Sequence, residues 1–121
     1  MTNTTRVEVT IRTLVEPDAL AHELGVEPDY VARRGKVLVS DITTEHNVFI
    51  SYVDSADPVD PSSALLTARA IIDGFDPREH VHTSVRVLFD GDVSGLVLEG
   101  RLVASLLERA DAFEVDEVPA L

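Results

Sequence analysis

The stretch TRVEVTIRTL, residues 5–14, decides the fold class of this 121-residue chain, because its apolar and polar residues alternate. Val7, Val9 and Ile11 share one side of the pattern. The other side consists of Arg6, Glu8, Thr10 and Arg12. A period of two is typical of a strand with one face in the core. The sequence therefore predicts a half-buried strand whose polar face looks outward.

A short helix is predicted directly after this strand, in EPDALAHELG, residues 16–25. Pro17 suits the first helical position, and Asp18 favours the positive end of the helix dipole. Leu20 and Leu24 share a face, and Gly25 suits a left-handed cap. Both ends of this helix are therefore signalled.

Two strands are predicted next, in KVLVSDIT (residues 36–43) and HNVFISYV (residues 46–53). Both are rich in β-branched and aromatic residues, and we expect them to pair as a hairpin. The longest helix is predicted over Ala64–Phe75, with Asp60 as its N-cap and Pro61 in its first turn. Its end is signalled by Gly74 and Pro77.

The last third of the chain contains Asp90-Gly91, a pair typical of a tight hairpin turn. We expect it to connect a strand over residues 85–89 with a second strand around Leu96 and Leu98. A third helix is predicted in GRLVASLLERA, residues 100–110, and a closing strand in FEVDEV, residues 113–118. The order is β-α-β-β-α-β-β-α-β. It predicts an α+β fold, a two-layer sandwich of a mostly antiparallel sheet with helices, formed by residues 1–121 as a single globular domain.

The charge of the chain restricts its partners, since 22 acidic residues face ten basic ones and the formal net charge is −12. This field disfavours direct binding of nucleic acid or of a membrane surface.

The chain has no cysteine, which excludes disulfides, thiolate metal sites and cysteine nucleophiles. No apolar run approaches the roughly 18 residues of a membrane span, so we expect a cytoplasmic protein.

A family resemblance rests on LGVEPDYVARRG, residues 24–35. It is similar to the pattern Leu-Gly-Ile-x-Pro, followed by a basic residue pair and glycine, of the bacterial family called domain of unknown function 4279. The matching residues are Leu24, Gly25, Val26, Pro28, Arg33, Arg34 and Gly35. The resemblance implies a small α+β domain and brings no established activity, cofactor or catalytic residue.

Candidate catalytic groups have structural explanations in the sequence. Asp90 suits a hairpin turn and Asp60 a helix cap, so neither requires acid–base chemistry. His80 and His82 are two apart, and on a regular strand they would share a face, but nothing in the sequence fixes a third ligand for a metal. We therefore predict no metal site, no cofactor and no catalytic residue.

The candidate binding residues are Tyr30, Arg33, Arg34 and Lys36, which concentrate positive charge in an acidic chain. Arginine binds carboxylates and phosphates in a forked geometry, so one interpretation is contact with an anion or an acidic peptide. The other is that these arginines neutralise carboxylates of their own fold. The sequence leaves both open and favours the second.

Three functions remain open. The first is a noncatalytic protein-interaction module, of the immunity or inhibitor type, that binds a basic protein partner. The second is a regulatory domain that recognises an anionic metabolite near Tyr30, Arg33 and Arg34. The third is an acidic protein of a salt-adapted organism with an unrecognised enzymatic role. A homodimer through an edge strand is a further open alternative.

Overall fold

The computed structural model describes residues 4–35, 37–39, 42–43, 45–76, 79–91 and 95–118. The strands are β1 (Thr5–Thr13), β2 (Tyr30–Ala32), β3 (Val37–Val39), β4 (Ile42–Thr43), β5 (Asn47–Asp54), β6 (His80–Phe89) and β7 (Ala112–Glu117). The helices are α1 (Pro17–Leu24), α2 (Ser62–Asp73) and α3 (Gly100–Leu107). The predicted α+β class is confirmed.

Five strands form one mostly antiparallel sheet in the order β2-β5-β1-β6-β7. The central strand is β1, which pairs antiparallel with both β5 and β6. At the edges, β2 runs antiparallel to β5, whereas β7 runs parallel to β6. The short strands β3 and β4 pair with each other in a separate sheet. The alternation in β1 therefore sets the two faces of the main sheet.

The hydrophobic core lies between one face of the sheet and the helices. Val7, Val9 and Ile11 of β1 are fully buried, as the alternation predicts. Other fully buried members of the core are Leu20, Phe49, Leu65, Ala68, Ile72, Val85, Val87 and Leu106. Burial of a valine, leucine, isoleucine or phenylalanine side chain contributes roughly 1.5–3 kcal/mol to the stability of the fold. The opposite face of β1 carries the polar residues.

The helix signals in the sequence correspond closely to the helices observed. Pro17 begins α1, and Gly25 ends it with a left-handed φ of 65°. For α2, Pro61 and not the predicted Asp60 occupies the N-cap position, although the Asp60 carboxylate accepts a hydrogen bond from the Ser62 N–H at 3.1 Å. The helix begins two residues before the predicted Ala64 and ends at Asp73, two residues before the predicted Phe75. Pro77 lies outside the described residues. None of the described helices has the length and apolar character needed to cross a membrane.

The hairpin predicted from residues 36–43 and 46–53 is wrong in its pairing. Residues 37–39 pair with residues 42–43 instead. β5 pairs along its whole length with β1, and its partner on the other side is β2. The physical reason is burial: Phe49 and Ser51 of β5 face the core, which favours a place inside the main sheet.

The strand predicted around Leu96 and Leu98 is also not found. The Val97 N–H donates to the Val59 carbonyl at 2.8 Å, so this segment is tied to the loop before α2. Leu96 and Leu98 pack against the core from that position. The edge of β6 that the hairpin would have used is paired with β7.

Candidate functional site

Of the binding residues predicted from the sequence, Tyr30 opens β2 at the sheet edge and is 41% exposed. Arg33 contacts the Glu16 carboxylate and lies 3.6 Å from that of Asp18, at the start of α1. The backbone N–H of Arg34 donates to Asn47 Oδ1 at 2.7 Å. Lys36 lies outside the described residues.

These contacts favour a structural role for Arg33. Asn47 also donates from Nδ2 to the Val15 carbonyl at 3.0 Å, which connects the turn after β2 to the segment between β1 and α1. Gly35 then turns the chain with a φ of 88°, a value that glycine adopts readily. The guanidinium of Arg33 is thus engaged by the acids of its own fold.

A second candidate site lies on the face of the sheet opposite the core. The strand register arranges its side chains in rows across β5, β1 and β6. One row consists of Tyr52, Glu8 and Arg86, and β7 adds Glu114 beside Arg86. The next consists of Ile50, Thr10, Ser84 and Ala112, and the third of Val48, Arg12 and His82.

Glu8 is the buried charge at the centre of this face, with 7% of the residue exposed. Arg86 Nη2 donates to both of its carboxylate oxygens, at 3.0 and 3.1 Å, and the Thr10 hydroxyl donates at 3.1 Å. Arg86 Nη1 also donates to Asp116 at 3.1 Å. Burial acts to lower the pKa of Arg86, but the bonds to Glu8 and Asp116 outweigh it and raise that pKa. The guanidinium of Arg86 thus keeps its charge within this network.

Tyr52 and Arg6 extend this network toward β5. Burial raises the pKa of the Tyr52 hydroxyl, and the charge of Glu8 and a hydrogen bond with it act in the same direction. The guanidinium of Arg6 lies 5.1 Å from the centre of the Tyr52 ring and 3.1 Å from the Asp54 carboxylate. The contacts among Arg6, Tyr52 and the Glu8–Arg86 network restrict these side chains to one arrangement on this face of the sheet.

A cavity of 520 Å³ opens on this face, which we call the sheet-face cavity. Its floor is formed by the short side chains of Thr10, Ser84 and Ala112. Glu8, Arg86 and Glu114 form one wall. The opposite wall contains Arg12, His82 and His46, which precedes β5.

His80 and His82 do not share a face, contrary to the expectation for a regular strand. The register shifts between Arg12 and Thr13, so that His82 pairs with Arg12 and His80 pairs with Thr13. A bulge of this kind turns a side chain to the other face. His80 Nδ1 lies 2.8 Å from the Thr13 hydroxyl, and its ring meets that of Phe75 edge-on.

The two histidines therefore have separate surroundings. Burial lowers the pKa of His80, although the charges of Glu23, Glu79 and Asp76 oppose that effect. His82 is exposed in the sheet-face cavity. Across the described part of the chain, no cluster of three or more metal-binding side chains occurs.

The residues that the sequence interpretation missed are those of the sheet-face cavity. The sequence shows Arg12 only as part of a polar strand face, pairs His82 with His80, and leaves His46 isolated in a loop before the strand. The signal that unites them is the pairing of β1 with β6 and β5, which connects positions far apart in the chain.

Comparison with family models, with curated proteins and with solved structures finds no match to this chain. The resemblance to domain of unknown function 4279 accordingly stays a prediction.

Proposed function

We propose that the chain is a noncatalytic protein-interaction module that binds a basic protein partner, in the manner of an immunity protein or an inhibitor. The net charge of −12 supports a basic partner, because complementary charge accelerates encounter and discriminates against acidic proteins. The observation that carries the proposal is the acidic outer edge of β7.

β7 is the last strand of the sheet and, among the described residues, pairs only with β6. Glu114 and Glu117 are exposed on this strand, and Val115 between them is 39% exposed. An edge strand offers unpaired backbone groups to an added strand. Lysine or arginine side chains on that strand would lie opposite the carboxylates.

The same carboxylates oppose pairing between two copies of β7, because each copy would bring like charges together. The edge is therefore selective: it repels a second acidic strand and accepts a basic one. At the other edge, β2 has only three residues, too few for an extended backbone interface.

A capture experiment with the immobilised chain tests the proposal, with elution by a step from 0.05 to 0.5 M NaCl. We expect a basic protein to elute, and its dissociation constant is then measured by calorimetry. Glu114→Gln/Glu117→Gln should weaken binding by about tenfold, equivalent to about 1.4 kcal/mol.

The matched control is Glu23→Gln/Glu27→Gln, which removes the same charge from exposed positions in and just after α1. It should change the dissociation constant by less than about twofold. Equal weakening by both variants would mean that only net charge matters and would exclude β7 as the contact edge. Recovery of no basic protein would contradict the interaction itself.

A further inference from the structure

We infer that the sheet-face cavity binds a small anion, a carboxylate or a phosphate, through Arg12, His46 and His82. This site goes beyond the proposed protein interaction, because it lies on the face of the sheet and uses an arginine and two imidazoles instead of the carboxylates of β7. The volume of 520 Å³ falls within the range of small-molecule sites, roughly 300–1,000 Å³.

Three separate segments bring these side chains together. Arg12 lies near the end of β1, His46 directly precedes β5, and His82 lies in β6. The register places Arg12 between Val48 and His82, its partners on the two neighbouring strands. Side chains that face each other in this way have Cβ atoms about 4.5–5.5 Å apart. One small ligand can therefore reach both groups.

In the described part of the chain, neither Arg12, His46 nor His82 has a side-chain hydrogen bond or ion pair. Carboxylates contact Arg6, Arg33, Arg69, Arg86 and Arg109, whereas Arg34 and Arg101, like Arg12, have no ion pair among the described residues. What distinguishes Arg12 from Arg34 and Arg101 is its position in a cavity that His46 and His82 also line.

An anion supplies what this arrangement lacks. The guanidinium presents a planar fork of N–H donors that fits carboxylate and phosphate oxygens, and each imidazole adds a further N–H donor. Binding therefore gains hydrogen bonds from donors that have no partner among the described residues.

The carboxylates of the cavity lie in the row of Glu8, two rows away from Arg12. Four residues of strand separate these two positions, about 13 Å at 3.3 Å per residue. Glu8 is neutralised by its two bonds to Arg86, which leaves Glu114 as the acid of that wall without an ion pair among the described residues. The cavity thus has a positive end, where an anion is accepted despite the net charge of the chain.

The test is a ¹⁵N NMR titration of the full chain with inorganic phosphate and, separately, with succinate, at constant ionic strength and fixed pH. We expect saturable shifts at Arg12, His46 and His82 and a dissociation constant on the order of 1 mM for at least one anion. Saturation by phosphate alone identifies a phosphate ligand, and saturation by succinate alone identifies a carboxylate.

Arg12→Gln should weaken this binding at least tenfold, whereas Arg101→Gln should leave it within twofold. Arg101 is the matched control because it is exposed and has no ion pair among the described residues. If Arg12→Gln fails to fold, His46→Gln and His82→Gln are titrated in its place, and each should weaken binding. The inference is overturned if neither anion gives saturable shifts, or if the folded variants bind as tightly as the unmodified chain.

Discussion

At the scale of single residues, the buried carboxylate of Glu8 depends on one guanidinium. Arg86 supplies two of its hydrogen bonds, and only 9% of the Glu8 side chain is exposed. Removing one member of such a pair costs far more than the pair itself contributes, because the remaining charge stays desolvated. Among the polar groups of the sheet face, we therefore expect substitutions in this network to lower the free energy of unfolding most.

We expect Arg86→Met to lower the free energy of unfolding by about 2 kcal/mol, below the range for fully buried pairs, since the Arg86 side chain is 38% exposed. Urea unfolding measures this change. Glu8→Gln combined with Arg86→Met should be less destabilised than Arg86→Met alone, because the neutral amide does not need a cation. Arg101→Met, an exposed control, should stay within about 0.5 kcal/mol, and an equal loss there would contradict the argument.

The residues of the two candidate sites differed in how far the sequence could predict them. Tyr30, Arg33 and Arg34 are neighbours in the chain, so their cluster was visible, and the structural alternative for Arg33 is supported by its contacts with Glu16 and Asp18. Arg12 and His82 are brought together only by the strand register. Local patterns contain no information on which strand becomes the neighbour of another.

At the scale of elements, two glycines beside helices provide a matched pair. Gly25 follows α1 with a φ of 65°, a conformation that costs a residue with a Cβ atom roughly 1–2 kcal/mol. Gly100 is the first residue of α3, and a Cβ atom there would meet nothing within 4 Å. Space is also available at Gly25, so the backbone conformation alone distinguishes the two positions.

We expect Gly25→Ala to lower the melting temperature, at a cost of about 1 kcal/mol. Gly100→Ala should raise the melting temperature slightly, with a gain of up to about 0.5–1 kcal/mol in the free energy of unfolding, because alanine loses less backbone entropy in a helix. Differential scanning calorimetry of both variants measures the two changes. A stabilising effect of Gly25→Ala would show that the left-handed cap is not needed.

Element types were predictable where a pattern ran long enough to show its period. β1, with nine residues, and α2, with twelve, were both identified from their periodicity. β2 has only three residues and therefore no detectable period. The bulge between β1 and β6 cannot be read from β6 alone, because it depends on how many residues of each strand face each other.

At the scale of the whole molecule, net charge opposes the compact state. With a net charge of −12, like charges repel over the surface, and added salt screens that repulsion. We expect the melting temperature to rise by several degrees between 0.02 and 0.3 M NaCl, with most of the gain below about 0.1 M, where the screening length is longest. Thermal unfolding followed by circular dichroism measures this.

The control is the same series of thermal unfolding measurements in sucrose solutions of matched osmolality, since sucrose stabilises the folded state without screening charge. A smooth rise with both additives would point to solvent exclusion instead of charge screening. A fall with NaCl would show that the ion pairs of the sheet face outweigh the general repulsion, because salt weakens exposed pairs as well.

The central position of β1 has a consequence for synthesis on the ribosome. This strand is made before either of its partners, β5 and β6, and its second edge stays unpaired until residue 89 has been translated. At about 5–20 residues per second, the 35 residues from the end of β5 to the end of β6 take roughly 2–7 seconds. During that interval Val7, Val9 and Ile11 belong to an incomplete sheet, so nascent chains are most exposed to chaperones and to aggregation just before β6 emerges.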